Sequence, residues 1–303
     1  MPKDMSYRHV FLLVSATACW GCGTVLSKQV LDRGVAPLTL LAIELLASSL
    51  LLAAGVVVFR APLRWSPSLG RLALLGVLNP GLAYALGLLG LVNISASLSV
   101  LLWATEPVLI MLLAVLILRE RLAAATVTAV AVALVGVLLV VYRPGATGDV
   151  AGISLTMGAV LACAIYTVLT RWLLLDDGSL QVVLGQQVAA LIFAVAAAAT
   201  SWALGLSVLD FPTDGATWAL AASSGAIYYG LAFWFYVGGL RGVPASTAGT
   251  LLPLIPVFGL AAGYLVGDRL LERQWLGAAL VVIATASAAA YHLTRKPAEH
   301  EPS

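Results

Sequence analysis

Apolar runs of about twenty residues, parted by short polar joints, fill this chain from end to end. A helix needs roughly 20 mostly apolar residues to cross a bilayer. The pattern predicts ten such helices, over 9–30, 37–59, 71–92, 95–118, 122–142, 149–171, 180–205, 216–240, 244–267 and 274–294. The joints leave no room for an extramembrane domain. An all-α integral membrane protein is expected, with its function inside the helix bundle.

The second half of the pattern repeats the first. Thr24-Val25-Leu26-Ser27-Lys28 recurs as Thr167-Val168-Leu169-Thr170-Arg171, a shift of 143 that also sets Glu44 over Gln187. Further on the shift becomes 149, and Gly76, Gly81, Gly90, Ala96, Ser97, Pro107 and Val108 fall on Gly225, Gly230, Gly239, Ala245, Ser246, Pro256 and Val257. Each copy holds five predicted helices. Copies with an odd number of crossings must sit upside down relative to each other, so a 5 + 5 inverted-topology repeat is expected, with a binding site between the halves. The predicted units are 1–143, 144–296 and a short tail, 297–303.

Composition sharpens this. The chain is 61% hydrophobic and 10% charged, against about 45–50% and 25% in soluble domains. Lys and Arg are held on the cytoplasmic side of membrane proteins. With the N-terminus inside, eleven of the sixteen lie on cytoplasmic segments: Lys3, Arg8, Arg60, Arg64, Arg71, Arg119, Arg121, Arg171, Arg241, Arg295 and Lys296. Lys28, Arg33, Arg143, Arg269 and Arg273 lie outside. Both termini are therefore expected in the cytoplasm, and the net charge of +2 reports topology rather than nucleic-acid binding. The first helix resembles a signal peptide ending at Ala16-Thr17-Ala18-Cys19. Its repeat counterpart in the sixth helix favours a retained first span.

Little here suggests an enzyme. Cys19-Trp20-Gly21-Cys22 has redox-dithiol spacing but sits in an apolar helix with no basic neighbour to activate a thiol, so Cys19, Cys22 and Cys163 read as packing residues. His9, His292 and His300 lie at the chain ends and form no cluster. No metal or cofactor is expected. Gly259, Gly263 and Gly267 line one face of the ninth helix, where a neighbouring backbone can approach closely, as static packing or as a sliding contact.

The interior chemistry falls on a few residues. Glu44 and Glu106 lie inside predicted spans, where a charge costs about 2.5–3.5 kcal/mol on insertion scales, so both should face the bundle interior. Glu106 is expected to bond the carbonyl freed by Pro107, or to serve in coupling. Glu44 is expected to contact substrate or exchange a proton. Trp20, Tyr84, Trp103, Tyr166, Tyr228 and Tyr229 sit too deep for interfacial belts, which do explain Trp65, Trp202, Trp218 and Trp275. Together with Asn79, Glu44 and Gln187 they form the predicted cavity lining, suited to an apolar or aromatic ligand. Pro107 and Pro256, with Pro253 nearby, are expected to kink the fourth and ninth helices as hinges.

Trp20-Gly21, Ala96-Ser97, Glu106-Pro107-Val108, Arg119-Glu120-Arg121-Leu122 and Gly136-Val137, with Ala245-Ser246, Pro256-Val257 and Gly267-Asp268-Arg269-Leu270 in the second half, resemble the EamA-type permeases of the drug/metabolite transporter superfamily. The resemblance covers essentially the whole chain and is greatest to the bacterial aromatic-amino-acid exporters. Two positions depart from the pattern: Glu44 stands where such permeases often carry a basic residue, and Ile255 where a Glu precedes the second-half proline. The resemblance implies a secondary transporter in the bacterial inner membrane, with the lipid bilayer and a small molecule as its partners. A monomer would suffice. The substrate expected is an aromatic or other apolar amino acid, exported by alternating access. A broad exporter of drugs or organic cations is the alternative within the class, and a channel or receptor the alternative outside it.

Overall fold

The computed structural model describes residues 7–61, 67–94, 102–120, 122–141, 149–174, 178–265 and 271–294. Every element in it is helical: α1 (Tyr7–Leu31), α2 (Pro37–Val58), α3 (Pro67–Gly76), a π turn (Val77–Leu82), α4 (Ala83–Asn93), α5 (Glu106–Leu118), α6 (Ala124–Val141), α7 (Val150–Leu173), α8 (Ser179–Ala203), α9 (Gly215–Ser224), a second π turn (Gly225–Leu231), α10 (Ala232–Leu240), α11 (Ala245–Gly249), α12 (Leu254–Leu265) and α13 (Glu272–Thr294). The expected motifs Ala96-Ser97 and Gly267-Asp268-Arg269-Leu270, residues Arg64, Arg121 and Arg143, and the tail 297–303 lie outside the described residues.

Helices are the form that satisfies backbone polar groups where no water reaches. Their ends are set by local chemistry. Pro37 occupies the first turn of α2, where its missing N–H is no loss. The carboxylates of Asp149 and Asp214 cap α7 and α9, accepting from Gly152 N at 2.6 Å and Thr217 N at 2.9 Å. Eight helical stretches are long and apolar enough to cross a membrane, while Glu106–Leu118 and Ala124–Val140 are shorter apolar helices. The outer surface is apolar too, with Leu50, Leu112, Leu116, Ile192 and Ile283 all exposed. Soluble monomers do not present such a surface. The protein is a multi-pass membrane protein.

Helix pairing survives exchange of the two halves. α4 packs on α7 as α10 packs on α1; α5 meets α7 as α12 meets α1; α3 meets α8 as α9 meets α2. Repeat-related glycines make the same close approaches. A Cβ on Gly90 would lie 3.0 Å from the Gly152 carbonyl oxygen, and one on Gly239 would lie 3.0 Å from that of His9. One on Gly76 would collide with the Gln186 backbone, and one on Gly225 with the Glu44 backbone. The equivalent helices α6 and α13 run antiparallel. Gly136 lies against Gly277 and Val281, whereas Val140, one turn on, meets Gly277 and then Gln274, whose Nε2 donates to the Val140 carbonyl at 3.1 Å.

Two expectations about the helices need correction. Pro107 and Pro256 do not kink continuous helices. The chain turns at Ala104–Thr105 and at Thr250–Pro253, and a new helix starts after each turn with the proline in its first turn. A proline there sacrifices no hydrogen bond, so it marks a helix start rather than a bend. Inside an otherwise helical run, non-helical dihedrals fall instead in the first π turn. Asn79, at φ −149° and ψ 121°, leaves the helical region, as the residue before a proline tends to.

Candidate functional site

Where the interrupted helices meet α1, α2 and α7, a cavity of about 690 Å³ enters the bundle. Its mouth lies at the end of α1, beside Lys28 and Asp32, an ion pair of 3.2 Å whose side chains are 72% and 62% exposed. The floor reaches Pro253, Ile255 and Pro256 at the break before α12.

The walls bring together most of the residues singled out from the sequence. Trp20, Glu44, Asn79, Tyr84, Trp103, Glu106, Pro107, Tyr166, Tyr228, Tyr229, Pro253 and Pro256 all line the cavity. Gln187 does not. It is fully buried, and its amide donates to the Tyr229 carbonyl at 3.3 Å, behind the wall. Repeat symmetry placed it opposite Glu44, but its own helix turns it into the contact with the second π turn.

The rings form one connected array. Tyr84 meets Trp103, Tyr228 and Tyr229 with centroids at 6.3, 5.6 and 5.2 Å. Tyr229 stacks on Phe233 at 6.4 Å, and Phe233 meets Trp20 at 5.4 Å and Tyr166 at 5.9 Å. Trp20 also meets Tyr236 at 5.1 Å. These are edge-to-face and offset contacts of the kind that add about 0.5–1.5 kcal/mol per pair. Small residues make room for them: a Cβ on Gly23 would strike the Tyr228 ring, 2.5 Å away.

Polar groups in the wall are sparse. Trp20 Nε1 and Asn79 Oδ1 are buried without a hydrogen-bond partner in residues that line the cavity. An indole N–H only donates and an amide oxygen only accepts, so a ligand that reaches the two once the wall shifts needs an acceptor for one and a donor for the other. Glu44 Oε1 lies 2.6 Å from Ser27 Oγ and 2.7 Å from Ser224 Oγ. Glu106 opens α5 and lines the cavity. The expected bond to the carbonyl freed by Pro107 is not made, and the Glu106 carboxyl takes no partner among the described residues.

The sequence reading passed over several residues at the site. Ser27, Thr24, Thr167 and Tyr236 also line the cavity, and Thr167 Oγ1 and the Tyr236 hydroxyl lie 3.0 Å apart. Thr24, Ser27 and Thr167 belong to the repeated pentapeptide, which was the available signal. At the end of the bundle away from the mouth, Glu120 accepts from Ala245 N at 3.0 Å and from Ser246 N and Oγ at 3.1 and 2.5 Å. All three cysteines are unpaired, and no metal-binding cluster occurs among the described residues.

Compared with known proteins, residues 8–142 and 150–289 each match the EamA-like transporter family. No curated protein gives a significant match. A solved crystal structure superposes with a TM-score of 0.81 over 94% of this chain and 99% of its own, at 19% sequence identity. At that identity the likeness speaks for the fold.

Proposed function

The chain belongs to the EamA-like transporter family, and we propose that it exports aromatic or other apolar amino acids across a bacterial inner membrane. The observation that carries this reading is the aromatic cavity with its two unpartnered polar atoms. A side-chain ring stacks on Tyr84, Trp103 and Tyr228. The ligand carboxylate accepts from Trp20 Nε1, and its ammonium donates to Asn79 Oδ1. Charge-assisted bonds of this kind are roughly twice as strong as neutral ones.

Transport proceeds by alternating access between two inverted five-helix repeats, ten spans in all, with both termini in the cytoplasm. Support comes from the exchange of helix pairings between halves, the antiparallel α6 and α13 and the Lys/Arg asymmetry. In that topology the mouth beside Lys28 and Asp32 faces outward. A second reading, export of organic cations, is favoured by the two carboxyls in the wall and by the lack of a lysine or arginine beyond the mouth among the described residues.

Counterflow in proteoliposomes separates the readings. Vesicles loaded with unlabelled L-tryptophan or L-phenylalanine should accumulate labelled L-tryptophan, and vesicles loaded with L-alanine or a tetraalkylammonium should not. Counterflow by the ammonium alone would shift the function to organic cations. Unsaturable flux would make the protein a channel.

A further inference from the structure

We propose that Glu44, Ser27 and Ser224 form a proton-binding site whose occupied state is the one seen here, a cyclic cluster closed by the proton on the Glu44 carboxyl. It rests on the transporter reading above only for its consequence, which is that export is coupled to protons.

The argument is a count of hydrogens. Glu44 Oε1 lies 2.6 Å from Ser27 Oγ and 2.7 Å from Ser224 Oγ, and the two hydroxyl oxygens lie 2.7 Å from each other. Three oxygens in mutual contact at these distances need three hydrogens, one along each edge. The serines supply two. An ionised Glu44 is a pure acceptor, so one edge would set two lone-pair oxygens face to face at about 2.7 Å. A protonated carboxyl supplies the third hydrogen: Glu44 donates to one serine, that serine to the other, and the second back to Glu44. The Gly23 carbonyl, 3.5 Å from Ser224 Oγ, is too far to alter this count. The oxygens already touch, which leaves no gap for a metal ion.

The surroundings favour the neutral acid. Glu44 is 2% exposed. On α1, Lys28 turns its ammonium to Asp32 at the mouth. The second π turn brings the uncharged phenols Tyr228 and Tyr229, and Tyr84 stands beyond them on α4. α8 and α9, packed on α2, carry no ionisable side chain at all. A charge so placed, without a cation beside it, carries a heavy desolvation cost.

The site also has the position that coupling requires. Ser27 and Glu44 come from the first repeat and Ser224 from the second, and Ser27 and Glu44 line the cavity. Loss of the proton leaves a carboxylate with two hydroxyl donors and one unfilled edge, which weakens the joint between α9 and the α1–α2 pair. Inward and outward states would then hold the proton with different affinity, as coupling demands. The repeat counterparts Thr170 and Gln187 carry no acid, so the first half alone holds the proton.

Infrared difference spectra of the purified full-length protein, taken between acidic and alkaline buffer, test the site without any substrate. We expect a carbonyl band of a buried protonated carboxyl that disappears in Glu44→Gln and persists in Glu106→Gln. In Ser27→Ala and Ser224→Ala the same band should remain while its titration midpoint moves by about one pH unit, a tenfold change in proton affinity. Wild-type spectra with no band lost in Glu44→Gln would overturn the proposal. So would unmoved midpoints in both serine variants. In vesicles holding a trapped pH dye, an L-tryptophan gradient should drive a pH change whose size per tryptophan falls to zero in Glu44→Gln. A sodium gradient that replaces the proton gradient would also overturn it. Tryptophan exchange without band or pH change would remove the proton site and leave the proposed function standing. A band without tryptophan exchange would do the reverse.

Discussion

Glu120 and Ser246 tie the two halves together: Glu120 Oε2 accepts from Ser246 Oγ at 2.5 Å and from its N–H at 3.1 Å, while Oε1 takes the Ala245 N–H at 3.0 Å. The left-handed Arg119, at φ 54°, ends α5 and turns the chain so that Glu120 reaches the start of α11. The latch sits at the closed end of the bundle. Bonds to a charged acceptor contribute about 1.5–3 kcal/mol each, so losing one shifts a two-state equilibrium by tenfold or more. Glu120→Ala should therefore open the closed face. A cysteine replacing the buried Ala248 on α11 should react with a polar alkylating reagent at least about tenfold faster in that background. An unchanged rate would show that the latch does not hold this state.

The aromatic wall makes a second expectation. Removing a ring that stacks on substrate forfeits about 0.5–1.5 kcal/mol, or roughly two- to tenfold in affinity. Trp103→Ala and Tyr228→Ala should raise the half-saturating L-tryptophan concentration by that factor, with the melting temperature in detergent close to wild type. Unaltered saturation in both variants would place the binding site elsewhere.

Glycine contacts at the helix crossings give a stability test. Cβ atoms on Gly76 and Gly225 would enter the backbones of Gln186 and Glu44, which cannot rotate away as a side chain would. Overpacking of this kind costs about 1–3 kcal/mol. Gly76→Ala and Gly225→Ala should both lower the thermal midpoint. Gly215→Ala, in open space at the start of α9, should leave it unchanged or raise it.

Asp214 carries a pH dependence that can be read outside the membrane spans. Hydrogen bonds from the Thr217 hydroxyl, at 2.7 Å, and the Thr217 N–H, at 2.9 Å, hold its carboxyl below the usual range. A depressed folded value means that the cap stabilises the fold above the ordinary carboxylate range and loses that contribution as pH falls through the folded value. Asp214→Asn should flatten this acid limb in thermal melts between neutral and acidic pH. A limb identical to wild type would assign the acid sensitivity to another group.

Much of the architecture was legible because apolar runs and repeated glycines are loud signals. The break before α5 falls at Ala104–Thr105, where Thr105 and Glu106 interrupt the apolar run only briefly, so it read as a kink at Pro107. The wall aromatics could be picked out by depth, since belts account only for rings near helix ends. Gln187 was misplaced because repeat symmetry fixes which helix a residue occupies, not which way one side chain turns. Ser27 and Ser246 stood in repeated motifs that gave no hint of their partners, and Ser224 was silent: a lone serine in an apolar helix has no pattern, and its meaning appears only when another helix brings a carboxylate to it.

The prolines carry the last expectation. Pro107 and Pro256 fall at repeat-equivalent positions, each in the first turn after a break, and both line the floor of the cavity. A proline in a first turn costs its helix nothing, but it disfavours helical geometry in the residue before it and blocks hydrogen bonding back to the preceding turn. It therefore keeps the two pieces from fusing into one rigid rod. Alternating access needs such breaks in both repeats, because one side must flex as the other closes. Pro107→Ala and Pro256→Ala should each keep the fold and bind L-tryptophan in detergent with wild-type affinity while slowing counterflow several-fold. The double variant should slow it further than either alone. If both single variants exchange at the wild-type rate, the breaks shape the cavity without serving as hinges.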